Sequence, residues 1–174
     1  MRNYGKNMDI KTTFIGHRNV CTDIVRDKLK KVIEDEIKNG CVHFIVGSHG
    51  NFDRMALSVC KELKNKYQNL IIEVVITSLN SIKKHIEYDM FGKIVYEPYE
   101  NVNTIMYEIE QEYFKKQIIV SNKKMIEECD LLICYVDTSR VRSGAKIAYN
   151  YAKKLGKRII NLYTTTIQQN SPFN

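Results

Sequence analysis

The feature that most constrains this chain is a buried strand that runs directly into a glycine turn and then into a helical pattern. Residues 42–46 are mostly apolar, residues 47–51 read GSHGN, and helical spacing begins near Phe52. A turn of this kind leaves backbone N–H groups and a helix N-terminus available to a ligand. The same layout recurs at 12–18 and at 131–144, so the sequence predicts one site built from three loops.

Strand and helix patterns alternate along the whole chain. We predict strands at 12–15, 42–46, 70–76, 94–96, 131–136 and 158–162, and helices at 20–37, 52–67, 102–128 (with a break near 120–122) and 145–155. This alternation predicts an α/β fold, a Rossmann-like three-layer α/β/α sandwich with a mostly parallel sheet. Ligands of such sheets bind beyond the carboxyl ends of the strands, where all three glycine loops fall.

Length and composition favour one soluble domain. The 174 residues suit a single domain with its core at about 11–163, and the polar tail at 164–174 is expected to fray. No apolar run approaches the ~20 residues that span a bilayer, and residues 1–11 lack the apolar part of a signal peptide. We therefore expect a cytoplasmic protein without a membrane partner. The apolar helix faces leave a homo-oligomer open.

Cysteine and histidine spacing predicts neither a metal site nor a cofactor. The five cysteines form no C-x-x-C pair, and the four histidines lie far apart. The net charge of +7 raises the possibility of a nucleic-acid partner, but lysines mix with acids on the helix surfaces, as at 26–36. A cationic excess gathers only near 115–116, 123–124 and 140–142. An ordinary solvated basic surface or a small anionic ligand is therefore favoured over a polynucleotide as the explanation of this charge.

The first two loops carry residues suited to a phosphate, a sugar or a base. Gly16 lets the chain turn after the first strand, and Arg18 offers a planar fork that fits phosphate or carboxylate. In the second loop, Ser48 and His49 can hydrogen-bond a ribose, a base or a phosphate. Asp53 falls in the first helical turn, where its carboxylate disfavours a phosphate and suits a sugar hydroxyl or a capping role.

The third loop, residues 140–144, is the strongest candidate for an anion cradle. It combines two guanidinium groups, a hydroxyl and a glycine at the start of a helix. Asp137, at the end of the preceding strand, is expected to cap this loop or to accept from a ribose. From periodicity alone, Ser121 and Asn122 are predicted to cap a helix.

Taken in order, these segments resemble the SLOG superfamily, the Rossmann-like nucleotide-ligand fold shared by DNA-processing A proteins and Lonely Guy phosphoribohydrolases. Small bacterial members carry T-G-H-R after the first strand, then G-G-x-x-G-F-D-x-x-A, R-N-x-x-M and G-G-T. The matching stretches here are 14–18 (FIGHR), 47–56 (GSHGNFDRMA), 121–125 (SNKKM) and 142–145 (RSGA). The resemblance covers about 11–163 and implies a nucleotide-type ligand.

Several positions depart from the superfamily pattern. Asn51 stands where a glycine is usual, Ser121 where arginine is frequent, and Ala145 lacks a threonine hydroxyl. The glutamate signature of the Lonely Guy enzymes is absent. In a loose alignment with nucleoside deoxyribosyltransferases, which are similar in fold, the catalytic glutamate becomes Ala148, and an alanine is neither nucleophile nor base. Ligand binding is therefore favoured over glycosidase chemistry, and whether the chain is an enzyme stays open.

The loops and the resemblance together give one set of candidate ligand-binding residues: Gly16, His17, Arg18, Gly47, Ser48, His49, Gly50, Asn51, Asp53, Asn122, Asp137, Arg142, Ser143 and Gly144. Arg18 and Arg142 are expected to hold a phosphate, Asp53 or Asp137 a ribose hydroxyl, and His49 or Tyr135 the base.

The expected function is binding of a nucleotide or a nucleotide-derived small molecule, as a sensor or regulatory module. Two alternatives remain. One is an N-glycosidic or phosphoribosyl hydrolase whose acid lies outside the matched motifs, with Glu97 or Glu100 as candidates. The other is a DNA-associated protein.

Overall fold

A computed structural model describes residues 10–20, 22–77, 86–97, 99–107, 113–141 and 143–163. Within these ranges the elements run β1 (Lys11–Gly16), α1 (Asp23–Lys38), β2 (His43–Val46), α2 (Asn51–Lys66), β3 (Ile71–Ile76), β4 (Glu87–Tyr88), β5 (Ile94–Tyr96), β6 (Asn103–Met106), α3 (Phe114–Glu128), β7 (Leu131–Tyr135), α4 (Gly144–Lys154) and β8 (Arg158–Asn161). The predicted tail at 164–174 lies outside the described residues. Of the described helices, none is long and apolar enough to cross a membrane.

Six of the strands form one parallel sheet in the order β6-β3-β2-β1-β7-β8. The expected α/β, Rossmann-like class is thereby confirmed. Strand β2, which follows β1 along the chain, pairs with one edge of β1, and the much later strand β7 pairs with its other edge. In an open parallel sheet, such a reversal of strand order leaves a crevice at the carboxyl ends of the two strands concerned. Strands β4 and β5 form a separate antiparallel hairpin.

The core lies on both faces of the sheet because successive strand residues are apolar on both faces. Phe14 and Ile15 are neighbours on β1 and point to opposite faces, and neither is more than 3% exposed. Phe14 packs in the cluster that includes Leu29 of α1, whereas Ile15 packs in the cluster that includes Met125 of α3. This two-sided burial produces the expected three layers.

The predicted helix at 102–128 is wrong in its first part. Residues 103–106 form β6, which pairs in parallel with β3. Val102, Ile105 and Met106 have the i, i+3, i+4 spacing of a helix face. However, β3 has an open edge at this position, and its backbone groups supply hydrogen-bond partners that a short local pattern cannot reveal. Tertiary pairing therefore outweighs the local signal.

Helix α3 is continuous from Phe114 to Glu128, so the predicted break near 120–122 is wrong. Ser121 is not a helix cap. It lies in the middle of α3, is 1% exposed, and its hydroxyl donates to the carbonyl of Ile118 at 3.2 Å. The other predicted helices and the strands at 12–15, 42–46, 70–76, 94–96, 131–136 and 158–162 are confirmed to within about three residues at their ends.

A close contact between Gly16 and Phe52 fixes the first turn of α2 against the end of β1. A Cβ atom added to Gly16 would lie 2.3 Å from Cγ of Phe52, and this phenylalanine is 1% exposed. Only a residue without a side chain permits this approach. The contact brings the β2–α2 loop next to the β1–α1 loop.

We expect Gly16→Ala to lower the free energy of unfolding by about 1–3 kcal/mol, because the added methyl group overlaps a ring that has no space to move. Chemical denaturation with a fluorescence or circular-dichroism signal measures the change. Gly144→Ala is the matched control, because nothing lies within 4 Å of the added Cβ there. Equal stability of the two variants would contradict the close-contact account.

Candidate functional site

A pocket of about 300 Å³ opens at the carboxyl ends of β1, β2 and β7. It lies at the reversal of strand order, where the loops that follow these strands meet. Nine of the predicted site residues line it: Gly16, His17, Arg18, His49, Gly50, Asp53, Asn122, Ser143 and Gly144. Five further residues complete the lining: Ile15, Asn19, Ile118, Arg140 and Ala145.

His17 joins the first loop to the third. The backbone N–H of Asp137 donates to Nε2 of His17 at 2.8 Å, and the backbone N–H of His17 donates to the carbonyl of Tyr135 at 3.3 Å. Burial lowers the pKa of His17, and the positive charge of Arg140 lowers it further, partly opposed by Asp137. Because Nε2 accepts, the neutral ring carries its proton on Nδ1. His17 therefore positions the third loop as a neutral side chain.

Asp137 serves the third loop as an internal cap. Its carboxylate accepts from the backbone N–H of Ser139 at 2.9 Å and from the hydroxyl of the same residue at 2.6 Å, and it lies 3.6 Å from Nε of Arg140. These hydrogen bonds, followed by one from Tyr163, lower the pKa of Asp137. Asp137 does not line the pocket. Of its two predicted roles, the structure supports the capping of the loop.

Asp53 holds the second loop in place from the first turn of α2. Its carboxylate accepts from the backbone N–H of His49 at 2.9 Å and also from the backbone N–H of Gly50. Burial raises the pKa of Asp53 to about 6, although both hydrogen bonds oppose the shift. A Cβ atom on Gly47 would lie 2.7 Å from the same carboxylate. A side chain at position 47 would therefore displace the carboxylate that holds the loop, so glycine is required there, although Gly47 itself does not line the pocket.

Ser48 and Asn51, also in the second loop, form hydrogen bonds within the fold. The hydroxyl of Ser48 donates to the carbonyl of Val75 at 2.8 Å, which ties the end of β2 to β3. The backbone N–H of Asn51 donates to the carbonyl of Arg18 at 3.2 Å. Asn51 belongs to a residue type that often caps helices, but here it is the first residue of α2, and Gly50 is the N-cap. Neither Ser48 nor Asn51 lines the pocket.

His49 remains at the pocket with part of its ring engaged. Its Nε2 lies 3.3 Å from the hydroxyl of Thr77. Burial lowers the pKa of His49, and the positive charge of Arg18 lowers it further. Both pocket histidines are therefore held in the neutral form near pH 7.

The N-terminus of α4 supplies unused hydrogen-bond donors. Ser143 caps the helix, since its hydroxyl accepts from the N–H of Lys146 at 3.0 Å. The backbone N–H groups of Gly144 and Ala145 find no acceptor among the described residues, as expected for the first helical positions. No acidic residue occupies the first turn of α4, whereas α1 and α2 carry Asp23 and Asp53 there. Of these three helix starts, only that of α4 combines pocket-lining N–H donors with an absence of carboxylates.

Two arginines add positive charge to the same pocket. Arg18 is exposed, and none of the described carboxylates pairs with it. Arg140 is 59% exposed and is weakly paired with Asp137. Arg140 was part of the predicted anion cradle, but the candidate set named only Arg142 of the two arginines in this loop. Arg142 lies outside the described residues.

Helix α3 closes the pocket from the side with Ile118 and Asn122. Asn122 is partly buried in the middle of the helix, so the prediction from periodicity that it caps a helix is wrong. Its amide has no hydrogen-bond partner among the described residues and can serve a ligand as donor or acceptor. Sequence periodicity places Ile118 on a helix but carries no signal that this helix reaches the site.

Carboxylates are few at the pocket among the described residues. Asp53 is the one carboxylate in the pocket lining, and its oxygens are already hydrogen-bonded. Glu97 and Glu100 are exposed and do not line the pocket, and Ala148 is 3% exposed in the core. The described ranges contain no group of three or more His, Cys, Asp or Glu residues that could hold a metal ion.

The lowered pKa of His17 predicts a loss of stability in acid. As the pH falls, the unfolded chain takes up a proton near the ordinary pKa of about 6.5, before the folded chain does. The contribution of His17 to the free energy of unfolding is therefore fully present above about pH 6.5. It is lost as the pH falls from there through the lower pKa that His17 has in the folded state. We expect the free energy of unfolding to decrease more between pH 7.5 and 5 in the wild type than in His17→Gln.

Denaturation of both proteins at several pH values measures this difference. Gln can still accept from the N–H of Asp137 but cannot be protonated. His49 and Asp53 titrate in both proteins, so their contributions to the pH dependence of stability largely cancel in the comparison. Parallel curves for the two proteins would show that His17 is not held neutral by the fold.

Comparison with known proteins identifies the family to which this architecture belongs. The sequence profile of a family described as the YspA SLOG family (YpsA) matches residues 9–170. The chain matches no curated protein. Among solved structures, it is similar to DNA processing protein A from Helicobacter pylori, which was described for its single-stranded DNA binding mode. That likeness has 19% identity and a TM-score of 0.60 over 91% of this chain and 67% of the other, and it shows a shared fold.

The family match extends over the whole described part of the chain, from before β1 to beyond β8. The resemblance of the glycine loops to the SLOG superfamily is thereby confirmed. On this match, the chain belongs to the YpsA SLOG family.

Proposed function

We propose that this protein binds a nucleotide or a nucleotide-derived small molecule in the three-loop pocket. The observation that carries the proposal is the convergence of two exposed arginines on a helix N-terminus whose first N–H groups have no acceptor in the described part of the chain. Anions bind at such helix starts, and guanidinium groups hold phosphate oxygens by charge-assisted hydrogen bonds. The pocket of about 300 Å³ is of a size that accommodates a small ligand.

In this proposal, the phosphate lies at Gly144 and Ala145 and contacts Arg18 and Arg140. Arg142, in the same loop, keeps the phosphate role expected for it from the sequence. The start of α2 is less suited to a phosphate because it already carries the carboxylate of Asp53. The sugar or base then lies toward His49, Gly50 and Asn122. Such an arrangement suits a sensor or regulatory module that responds to the level of its ligand.

Hydrolysis of an N-glycosidic bond is the alternative function. It requires a carboxyl group that can act on the bond, and Asp53 is the one described candidate in the lining. Release of free base from nucleoside monophosphates, followed by chromatography, would reveal it. Loss of that release in Asp53→Asn, with binding retained, would assign the reaction to Asp53.

The first prediction of this proposal is ligand-dependent thermal stability. In a panel of AMP, GMP, CMP, UMP, their di- and cyclic forms, and NAD, we expect at least one compound to raise Tm. A ligand at 100 times its Kd stabilises by about 2.7 kcal/mol, which corresponds to several degrees for a domain of this size. Arg18→Ala and Arg140→Ala should each weaken binding about tenfold, since each removes a charged hydrogen bond worth roughly 1.5 kcal/mol or more.

Arg54→Ala is the matched control for these variants, because Arg54 is also exposed in this part of the fold but does not line the pocket. Its affinity should equal that of the wild type. Unchanged affinity in all three variants would show that the phosphate lies elsewhere. The absence of any stabilising compound would argue against the proposed function itself.

A second prediction separates binding from folding at the start of α4. Gly144→Asp places a carboxylate in open space at the first helical position. A negative charge there stabilises the helix by about 0.3–1 kcal/mol, but it repels an anionic ligand. We expect Tm of the free protein to hold or rise while nucleotide affinity falls at least tenfold by isothermal titration calorimetry. Full affinity in this variant would exclude the α4 N-terminus as the anion site.

A further inference from the structure

The positive charge of this chain is concentrated in one segment. Residues 113–157 contain ten Lys and Arg residues and four Asp and Glu residues, a net charge of +6 of the +7 carried by the whole chain. By contrast, residues 23–66, which include α1 and α2, contain nine cations and seven carboxylates. The sequence already shows part of this excess near 115–116, 123–124 and 140–142, and the fold shows on which surface the cations of the helices lie.

Helices α3 and α4 cover the same face of the sheet and pack against each other. Their apolar residues enter the core: Met125, Ile126, Ala145, Ala148 and Ala152 are at most 8% exposed. Their lysines therefore lie on the outer surface of this layer. We call this surface the α3–α4 basic face, and its lysines are Lys115, Lys116, Lys123, Lys124, Lys146, Lys153 and Lys154.

Lysines of the basic face contact tyrosine rings. Their ammonium groups lie over ring centroids at 5.4 Å for Lys123 on Tyr151, 5.1 Å for Lys124 on Tyr107 and 5.9 Å for Lys153 on Tyr149. None of these three lysines is in an ion pair with a described carboxylate. A cation–π contact holds a lysine in place without neutralising its charge.

The acids of this face are engaged by the same tyrosines. The hydroxyl of Tyr151 donates to Glu127, and that of Tyr107 donates to Glu128 at 3.1 Å. On the opposite face, lysines and arginines of α1 and α2 do pair with carboxylates, as in the bridges of Arg26 and Lys30 to Glu62. The two helical layers thus differ in how their charge is balanced, and the α3–α4 layer keeps an excess of positive charge.

We propose that the α3–α4 basic face binds the phosphate backbone of a single-stranded polynucleotide. Lysines are compact point charges suited to phosphates in varied positions, and clustered lysines on one face supply affinity that does not depend on sequence. Tyr113, 69% exposed at the start of α3, offers a ring on which an unpaired base can stack. This surface lies outside the three-loop pocket, so the inference does not depend on the proposed nucleotide ligand.

An anionic membrane is a weaker match to the same charge. Helices that lie on membranes insert a broad apolar face rich in large side chains beside their lysines. The apolar faces of α3 and α4 are instead directed into the core, and α4 contributes mainly alanines there. A polyanion that needs only surface charge and stacking is therefore the partner that fits.

The test is fluorescence anisotropy with a labelled 20-nucleotide oligo(dT), titrated with the full chain between 50 and 200 mM NaCl. The variant Lys123→Gln/Lys153→Gln/Lys154→Gln removes three charges from the basic face. The control Lys31→Gln/Lys38→Gln/Lys64→Gln removes three charges from the α1–α2 layer, so both proteins have the same net charge. Circular dichroism and Tm confirm that both fold.

We expect the wild type to bind with a steep salt dependence. The basic-face variant should bind at least tenfold more weakly at 50 mM NaCl, with the slope of log K against log salt reduced by about 2, because single strands lose about 0.7 per phosphate contact. The control and Arg18→Ala should stay within about threefold of the wild type. An oligo(rU) of the same length should behave like oligo(dT).

Four results would overturn the proposal: no binding by the wild type, an equal loss in both triple variants, loss in Arg18→Ala while the basic-face variant still binds, or binding to phosphatidylglycerol vesicles without binding to the oligonucleotide. An equal loss in both triple variants would mean that net charge alone attracts the strand. Loss in Arg18→Ala would mean that the strand enters the pocket, and binding to vesicles alone would mean that the partner is a membrane.

Discussion

The contact between Gly16 and Phe52 is the constraint on which the candidate site depends. It lets α2 approach the end of β1 more closely than any side chain at position 16 would allow, and thereby sets the second loop beside the first. Asp53, one residue after Phe52, then anchors that loop through the N–H groups of His49 and Gly50. From the other side, His17 fixes the third loop through the N–H of Asp137. The three loops are held by hydrogen bonds among themselves before any ligand arrives.

This scaffold divides the polar residues of the loops into two groups. Ser48, Asp137 and the carboxylate of Asp53 satisfy neighbouring backbone or side-chain groups, so their hydrogen-bonding capacity is largely used by the fold. Arg18, Asn122 and the first N–H groups of α4 have no such partners among the described residues. Groups left without internal partners at a concave surface are those that a ligand can satisfy. The proposal that the pocket binds an anion rests on this division, since Arg18 and the N–H groups of α4 can only donate hydrogen bonds.

The general fold was predictable because the strands alternate between two apolar faces, as Phe14 and Ile15 do, and because glycine turns mark the strand ends. Strand β6 was not, because Val102, Ile105 and Met106 have helical spacing and become a strand only through pairing with β3. The sequence places the three glycine loops at the ends of strands, as the structure does, but it does not show which polar side chain faces inward. It also gave no sign that Ile118 reaches the pocket, or that the lysines of α3 and α4 share one face. These properties arise from tertiary packing.

The central claim is that the start of α4 receives an anionic group in the three-loop pocket. The most direct measurement is a titration of the ¹⁵N-labelled protein with AMP, followed by amide chemical shifts. The account predicts saturable shifts at Gly144 and Ala145, with smaller changes at Gly50 and Asn122, and no comparable change at the start of α1. Shifts confined to residues outside the pocket lining, or shifts at the start of α1 that exceed those of α4, would contradict it.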